Sequence, residues 1–162
     1  MEIPSELLKA AEDRGIDVVD LIINAIGDPE EGAKLRIQLA EKFLREAEEY
    51  LNKGDLVQAS EKAYKVAEEV VKALAEVHGL EEYRRALREG RWYTYELSSA
   101  SIKLSKTLGE WVLRGWEAGY ELHVWGFHEA KYGREEVEVL VGIVREMFEK
   151  AKGTLAGKAY QT

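Results

Sequence analysis

A chain of 162 residues, 46% hydrophobic and 33% charged, fits one soluble domain with a proper core rather than a disordered segment. It has no cysteine, which excludes a disulfide framework and thiolate metal sites, and no apolar run of membrane-spanning length. The net charge of −8 disfavours general nucleic-acid binding, because affinity for phosphate backbones rests on many Lys and Arg contacts.

That charge is uneven. Residues 1–31 carry nine acids against two bases, whereas residues 80–106 carry six bases against four acids. Met1–Glu6 leads into a charged helix and not a signal peptide, so a cytoplasmic location is expected. High charge with few Met and no Cys also fits a thermophilic, heat-stable protein.

The periodicity is helical throughout, and strand-like alternation is absent. Ser5 is placed to cap a first helix to about Arg14, and Asp17 a second to about Ile26, followed by Gly27. Asp28-Pro29-Glu30-Glu31 reads as a capping box. The long helix behind it would bury Ile37, Ala40, Leu44, Ala47 and Leu51. Asn52-Lys53-Gly54-Asp55 is a tight reversal, so this helix and the next, which presents Ala59, Ala63, Val66, Ala67, Val70 and Leu74, should form an antiparallel hairpin ending at His78-Gly79. Leu80–Glu89 is a short helix or turn carrying arginines. Thr94 opens a serine-rich helix, and Thr107 with Glu110 suggests a second capping box and a kink. A last helix is expected from Arg134 to Ala151. The fold class is therefore all-α: an antiparallel up-and-down bundle of four to five main helices over 28–152, with a helical N-terminal arm (1–27) and a frayed tail (153–162).

Trp111–Gly133 concentrates three of the four tryptophans and two of the three histidines. Read as a continuous α-helix, it has two seams. Val112, Trp116, Tyr120, His123, Phe127 and Ala130 form an aromatic core face beside Gly115, Gly119 and Gly126, whose cost to helix stability calls for close packing. Trp111, Arg114, Ala118, Glu121, Trp125, His128 and Tyr132 form a heptad-spaced seam, expected to be covered by another helix or a second subunit. In that seam Glu121 can bridge Arg114 and His128. The seam is then a polar register device, a pocket with Arg114 holding an anion and His128, His123 or Glu121 moving protons, or a solvent-exposed face. Trp125 and Tyr132 would complete the ligand surface.

On an ideal helix His123 and His128 point about 140° apart, so they should not chelate one ion, and no metal site is expected. Phosphate loops, dinucleotide fingerprints and nucleophilic triads are absent, so no cofactor is expected. Arg84, Arg88 and Arg91, beside Trp92, Tyr93 and Tyr95, form a second candidate surface for a phosphate or a strand, or else a solvated helix face.

Leu122-His-Val-Trp-Gly-Phe-His-Glu129, preceded by Trp116-Glu-Ala, resembles the archaeal PaREP repeat family, as does the hairpin around Asn52-Lys-Gly-Asp55 with Ala63-Tyr64 and Lys72-Ala-Leu74. The hairpin also looks like the wider class of HEPN (higher eukaryotes and prokaryotes nucleotide-binding) helical bundles. That resemblance implies an antiparallel bundle, often a homodimer, associated with nucleotides, RNA or protein partners. Ribonuclease members of that class carry an arginine followed closely by a histidine, whereas here Arg114 and His123 have eight residues between them. The expected function is a non-catalytic, dimeric helical module binding a nucleotide, nucleic acid or protein partner. The alternatives are a phosphate-substrate hydrolase or nuclease using Arg114 with His128 or His123, and a protein-interaction scaffold.

Overall fold

A computed structural model describes residues 1–159, and every regular element among them is helical. Helices α1 (Ser5–Asp13) and α2 (Val18–Ile26) make the N-terminal arm. The body comprises α3 (Pro29–Asn52), α4 (Leu56–Val77), α5 (Glu81–Glu89), α6 (Thr94–Leu108), α7 (Trp111–Glu121), a π-helical segment (Leu122–His128) and α8 (Arg134–Ala159).

Local chemistry sets most of the boundaries. Asp17, Asp28 and Asp55 each accept a bond from a backbone N–H of the first turn they precede, at 3.0, 3.1 and 3.1 Å. Pro29 opens α3, where its missing N–H costs nothing. Gly54, at φ +80°, supplies the left-handed residue that lets α4 reverse onto α3. Ser5 differs from its expected role: it is the first helical residue behind Pro4 and makes no cap. The break at Gly109 falls where a kink is expected, but Glu110 gives no side-chain cap; instead the Trp111 indole donates to the Leu108 carbonyl at 3.0 Å.

Helix α4 is the hub, packed against α3, α8, α7, the π segment and α6. Buried alanines of α3 (Ala33, Ala40, Ala47) and of α4 (Ala59, Ala63, Ala67) belong to one shared core, so little side-chain bulk separates the helices around α4. Val137, Val141, Val144, Met147 and Phe148 of α8 and Val112 and Trp116 of α7 complete the core. Helix α8 runs on to Ala159, past the expected end at Ala151, because Leu155 still packs against the core. The rest of the tail, residues 160–162, lies outside the described residues.

The chain does not stay α-helical from Trp111 to Gly133. It passes into the π segment after Glu121 and leaves the helix after His128, with Ala130 in the left-handed region at φ 51°. The Glu129 N–H bonds the Val124 carbonyl five residues back at 2.8 Å. This change of register decides the geometry of the site.

Candidate functional site

The glycines expected to permit close packing do so. A methyl group on Gly119 would lie 2.6 Å from the Ala67 methyl, and one on Gly126 would lie 2.6 Å from Cβ of Ser60. Gly115 is similarly closed by Met147 of α8. Helix α7 and the π segment therefore lie backbone-close on α4, and α4 residues beside this contact meet the imidazoles.

His123 is half-buried where α4 supplies Glu61 and Tyr64. Its Nδ1 lies 2.9 Å from Oε2 of Glu61, and its ring stacks on Tyr64 with centroids 4.0 Å apart. Its Nε2 lies 3.1 Å from Nε2 of His128. The expectation that the two histidines point apart is thus overturned: a ladder of i→i+5 bonds brings residues five apart onto one side, where an α-helix separates them. The available signal was Gly126 among aromatic and β-branched residues of modest helix propensity, which is too weak to specify a π register.

The result is a relay, Glu61–His123–His128, running from half-buried to exposed. Glu61 accepts from Nδ1–H of His123, which leaves its Nε2 lone pair facing His128. Aromatic rings fix the imidazoles. Phe127 lies 5.0 Å from His128, and Trp116, Tyr120 and Tyr64 continue the ring contacts toward the core. Burial, with Glu68 nearby, pushes the Tyr64 phenol well above its ordinary value, so it stays a neutral hydroxyl. Chemically, the relay can pass a proton between solvent and Glu61, or offer two converging nitrogen lone pairs.

The heptad seam does not assemble as expected. Glu121 does not bridge Arg114 and His128; it accepts from the Tyr132 hydroxyl at 3.0 Å. Arg114 lies nine residues before His123, about 13 Å along a helix axis. It lines a shallow groove of about 340 Å³ with Glu110, Trp111, Glu146, Met147 and Lys150. The seam is covered only in part: Ala118 is buried, Trp111 and Tyr132 pack against the core, and Trp111 and Arg114 border α8, whereas Trp125 is 45% exposed. The arginine cluster is partly occupied: Arg88 pairs with Glu81 at 2.9 Å, and the Arg91 guanidinium stands over the Tyr93 ring at 4.5 Å, with Tyr95 stacked beyond. Arg84 is exposed and extends toward Gly79 at the end of α4.

One group of residues carried no signal in the hydropathy pattern. Arg36, fully buried, donates to Asp20 and Glu69 at 2.8 Å each and also to Glu76. Lys72 adds contacts to the Asp20 carboxylate at 3.1 and 3.2 Å. Burial alone would depress Arg36, but Glu69, Asp20 and Glu76 more than offset it, and the guanidinium is held charged. Burial pushes Glu69 and Glu76 upward, as expected where three carboxyls share two cations. Next to them Glu68 is pushed up to about 7, first by burial and then by Glu69, Glu61 and Asp17 against the opposing pull of Lys72. Asp20 of the arm bonds directly into this network and pins α2 to the hairpin.

Fold and site together define an all-helical domain built on an α3–α4 hairpin, carrying paired imidazoles at its surface. The chain belongs to the archaeal PaREP1/PaREP8 family, matched over residues 35–148. It is also similar to a Sulfolobus solfataricus protein of known crystal structure, at 41% identity and a TM-score of 0.66, over 72% of this chain and 95% of that one. No curated protein matches it. The arm, with Asp20, lies before the matched residues, whereas both histidines, Glu61 and Arg36 lie within them.

Proposed function

We propose that the protein is a non-catalytic, dimeric helical module that binds its partner through apolar surface left uncovered by its own fold. The observation that carries this is the arm. Helix α1 buries no residue, and Leu7, Leu21 and Ile22 are 61%, 55% and 50% exposed, with Ile3, Leu8, Ile16, Val19 and Ile26 also more than a third exposed. Scattered exposed apolar residues are ordinary, but this many on a 26-residue stretch marks an interaction surface. A HEPN-type arrangement, a cytoplasmic location and heat stability belong to the same reading.

A second copy of the chain is the first occupant, since a homodimer is what the HEPN-type resemblance implies. For the further partner, protein is favoured over RNA or nucleotide, because Arg88 and Arg91 are already engaged within the chain and the net charge is −8. Light scattering tests the dimer: the chain should run at twice its 18.4 kDa mass, and Leu21→Asp with Ile22→Asp should return it to one. A wild-type monomer at 100 μM would remove the proposal. Binding of a partner that weakens steeply with salt would move the choice to nucleic acid.

The phosphate-hydrolase reading keeps one observation in its favour, the Glu61–His123–His128 relay. It lacks the anion holder it needs, because Arg114 lines a different groove. Turnover of RNA or a nucleotide that disappears in His128→Ala would revive it.

A further inference from the structure

The imidazole pair has a second chemistry that does not depend on the arm. Both reactive nitrogens are Nε2, 3.1 Å apart, while the ring centroids are 4.4 Å apart and the planes nearly perpendicular. The nitrogens are closer than the rings, so the two edges converge. A metal–nitrogen bond of about 2.0–2.1 Å turns such a separation into an N–metal–N angle of about 100°, between the square-planar and tetrahedral values.

We propose that His123 and His128 form a surface site for a borderline transition-metal ion, Zn²⁺, Ni²⁺ or Cu²⁺. Four features support it beyond the distance. The Glu61 carboxylate takes the Nδ1 proton of His123, the outer-shell arrangement that fixes a metal-ligating imidazole in the right tautomer and raises its basicity. The π segment holds the two residues on one side, and such segments recur at functional sites. Tyr64 and Phe127 hold the rings, so little side-chain freedom is lost on binding. His128 is exposed and gives the ion a path in.

In the metal-free protein, Nε2–H of His128 donates to Nε2 of His123. Binding requires His128, an exposed residue, to carry its proton on Nδ1 instead. The exchange passes through water and releases no net proton from the neutral pair. Among the described residues, no group of three or more His, Asp or Glu is arranged to enclose an ion. The remaining coordination positions therefore go to water or to a ligand group brought by another molecule. Imidazole donors select against Mg²⁺ and Ca²⁺, which prefer oxygen shells.

Calorimetric titration of the full, tag-free chain with ZnCl₂ at pH 7.5 tests this. The expected result is one ion per chain, affinity lowered at least tenfold in His128→Ala and in His123→Ala, and about tenfold in Glu61→Gln. MgCl₂ should give no such event. Because His128 is exposed, His128→Ala should retain the wild-type circular dichroism, so loss of binding there cannot be assigned to misfolding. The Cu²⁺ form should show nitrogen hyperfine splitting from two imidazoles in its electron paramagnetic resonance spectrum. Absence of Zn²⁺ binding in the wild type, equal binding in His128→Ala, or splitting from one nitrogen alone would overturn the site. The Leu21→Asp, Ile22→Asp variant should bind Zn²⁺ as the wild type does, which separates this site from the dimer proposal.

Discussion

Replacing Arg36 by Met removes the guanidinium and keeps much of its apolar stem. The change leaves Asp20, Glu69 and Glu76 facing Lys72 alone, all of them nearly or fully out of water. Breaking one partner out of a buried ion cluster costs about 3–5 kcal/mol, because the remaining charges stay desolvated and uncompensated. Against a domain stability of roughly 5–15 kcal/mol, that is a fifth or more of the total. The loss should depend on pH with a definite sign. Burial already pushes Glu69 and Glu76 upward, and loss of Arg36 raises them further, so protonation relieves the excess negative charge in acid. Urea unfolding should therefore show a larger difference between wild type and Arg36→Met at pH 8 than at pH 5. Adding Glu69→Gln to Arg36→Met should recover part of the loss at pH 8. A loss below about 1 kcal/mol, or one equal at both pH values, would refute the claim that this cluster ties the arm to the hairpin electrostatically.

Gly119→Ala should cost about 1–3 kcal/mol by overpacking against Ala67, less the roughly 1 kcal/mol that alanine gains in a helix, whereas Gly153→Ala, with open space around it, should gain up to about 1 kcal/mol; thermal melts compare the two. Glu68 is raised to about 7 in the folded protein, so its contribution is fully present below the ordinary carboxylate range and is lost as pH rises through about 7. Glu68→Gln should therefore match the wild type near pH 4.5 and exceed it by about 3 kcal/mol at pH 8 in denaturant melts. Ala130→Gly, at the left-handed residue that ends the π segment, should raise stability by about 1 kcal/mol without changing the circular dichroism spectrum.

Much of the architecture was legible because it is written locally. Asp17, Asp28 and Asp55 announce their helices through side-chain chemistry acting within three residues, and Gly54 marks a turn only a left-handed residue can make. The 3.6-residue period located Ile37, Ala40, Leu44 and Ala47 on the buried face of α3. The same reasoning failed at Arg36, which sits in that stripe between Ala33 and Ile37. A periodicity argument sends every charged residue to solvent, and nothing within α3 shows that Asp20, Glu69 and Glu76 will meet it. The site failed for a related reason. Placing His123 and His128 by 100° steps presumes an α register, and the register is altered where Gly126 lies against Ser60 of another helix. Glu61, sixty-two residues away in the chain, could be joined to His123 only by that tertiary contact.

Hydrogen exchange of the α1 amides, read at several protein concentrations, bears most directly on the proposal that this is a binding module which covers its arm with a second copy. A nine-residue helix with no buried side chain is marginal by itself in water. The account predicts that amides of residues 8–13 are protected at 200 μM and lose that protection on dilution to 1 μM, with the Leu21→Asp, Ile22→Asp variant unprotected throughout. Protection independent of concentration, or none even at 200 μM, would contradict it.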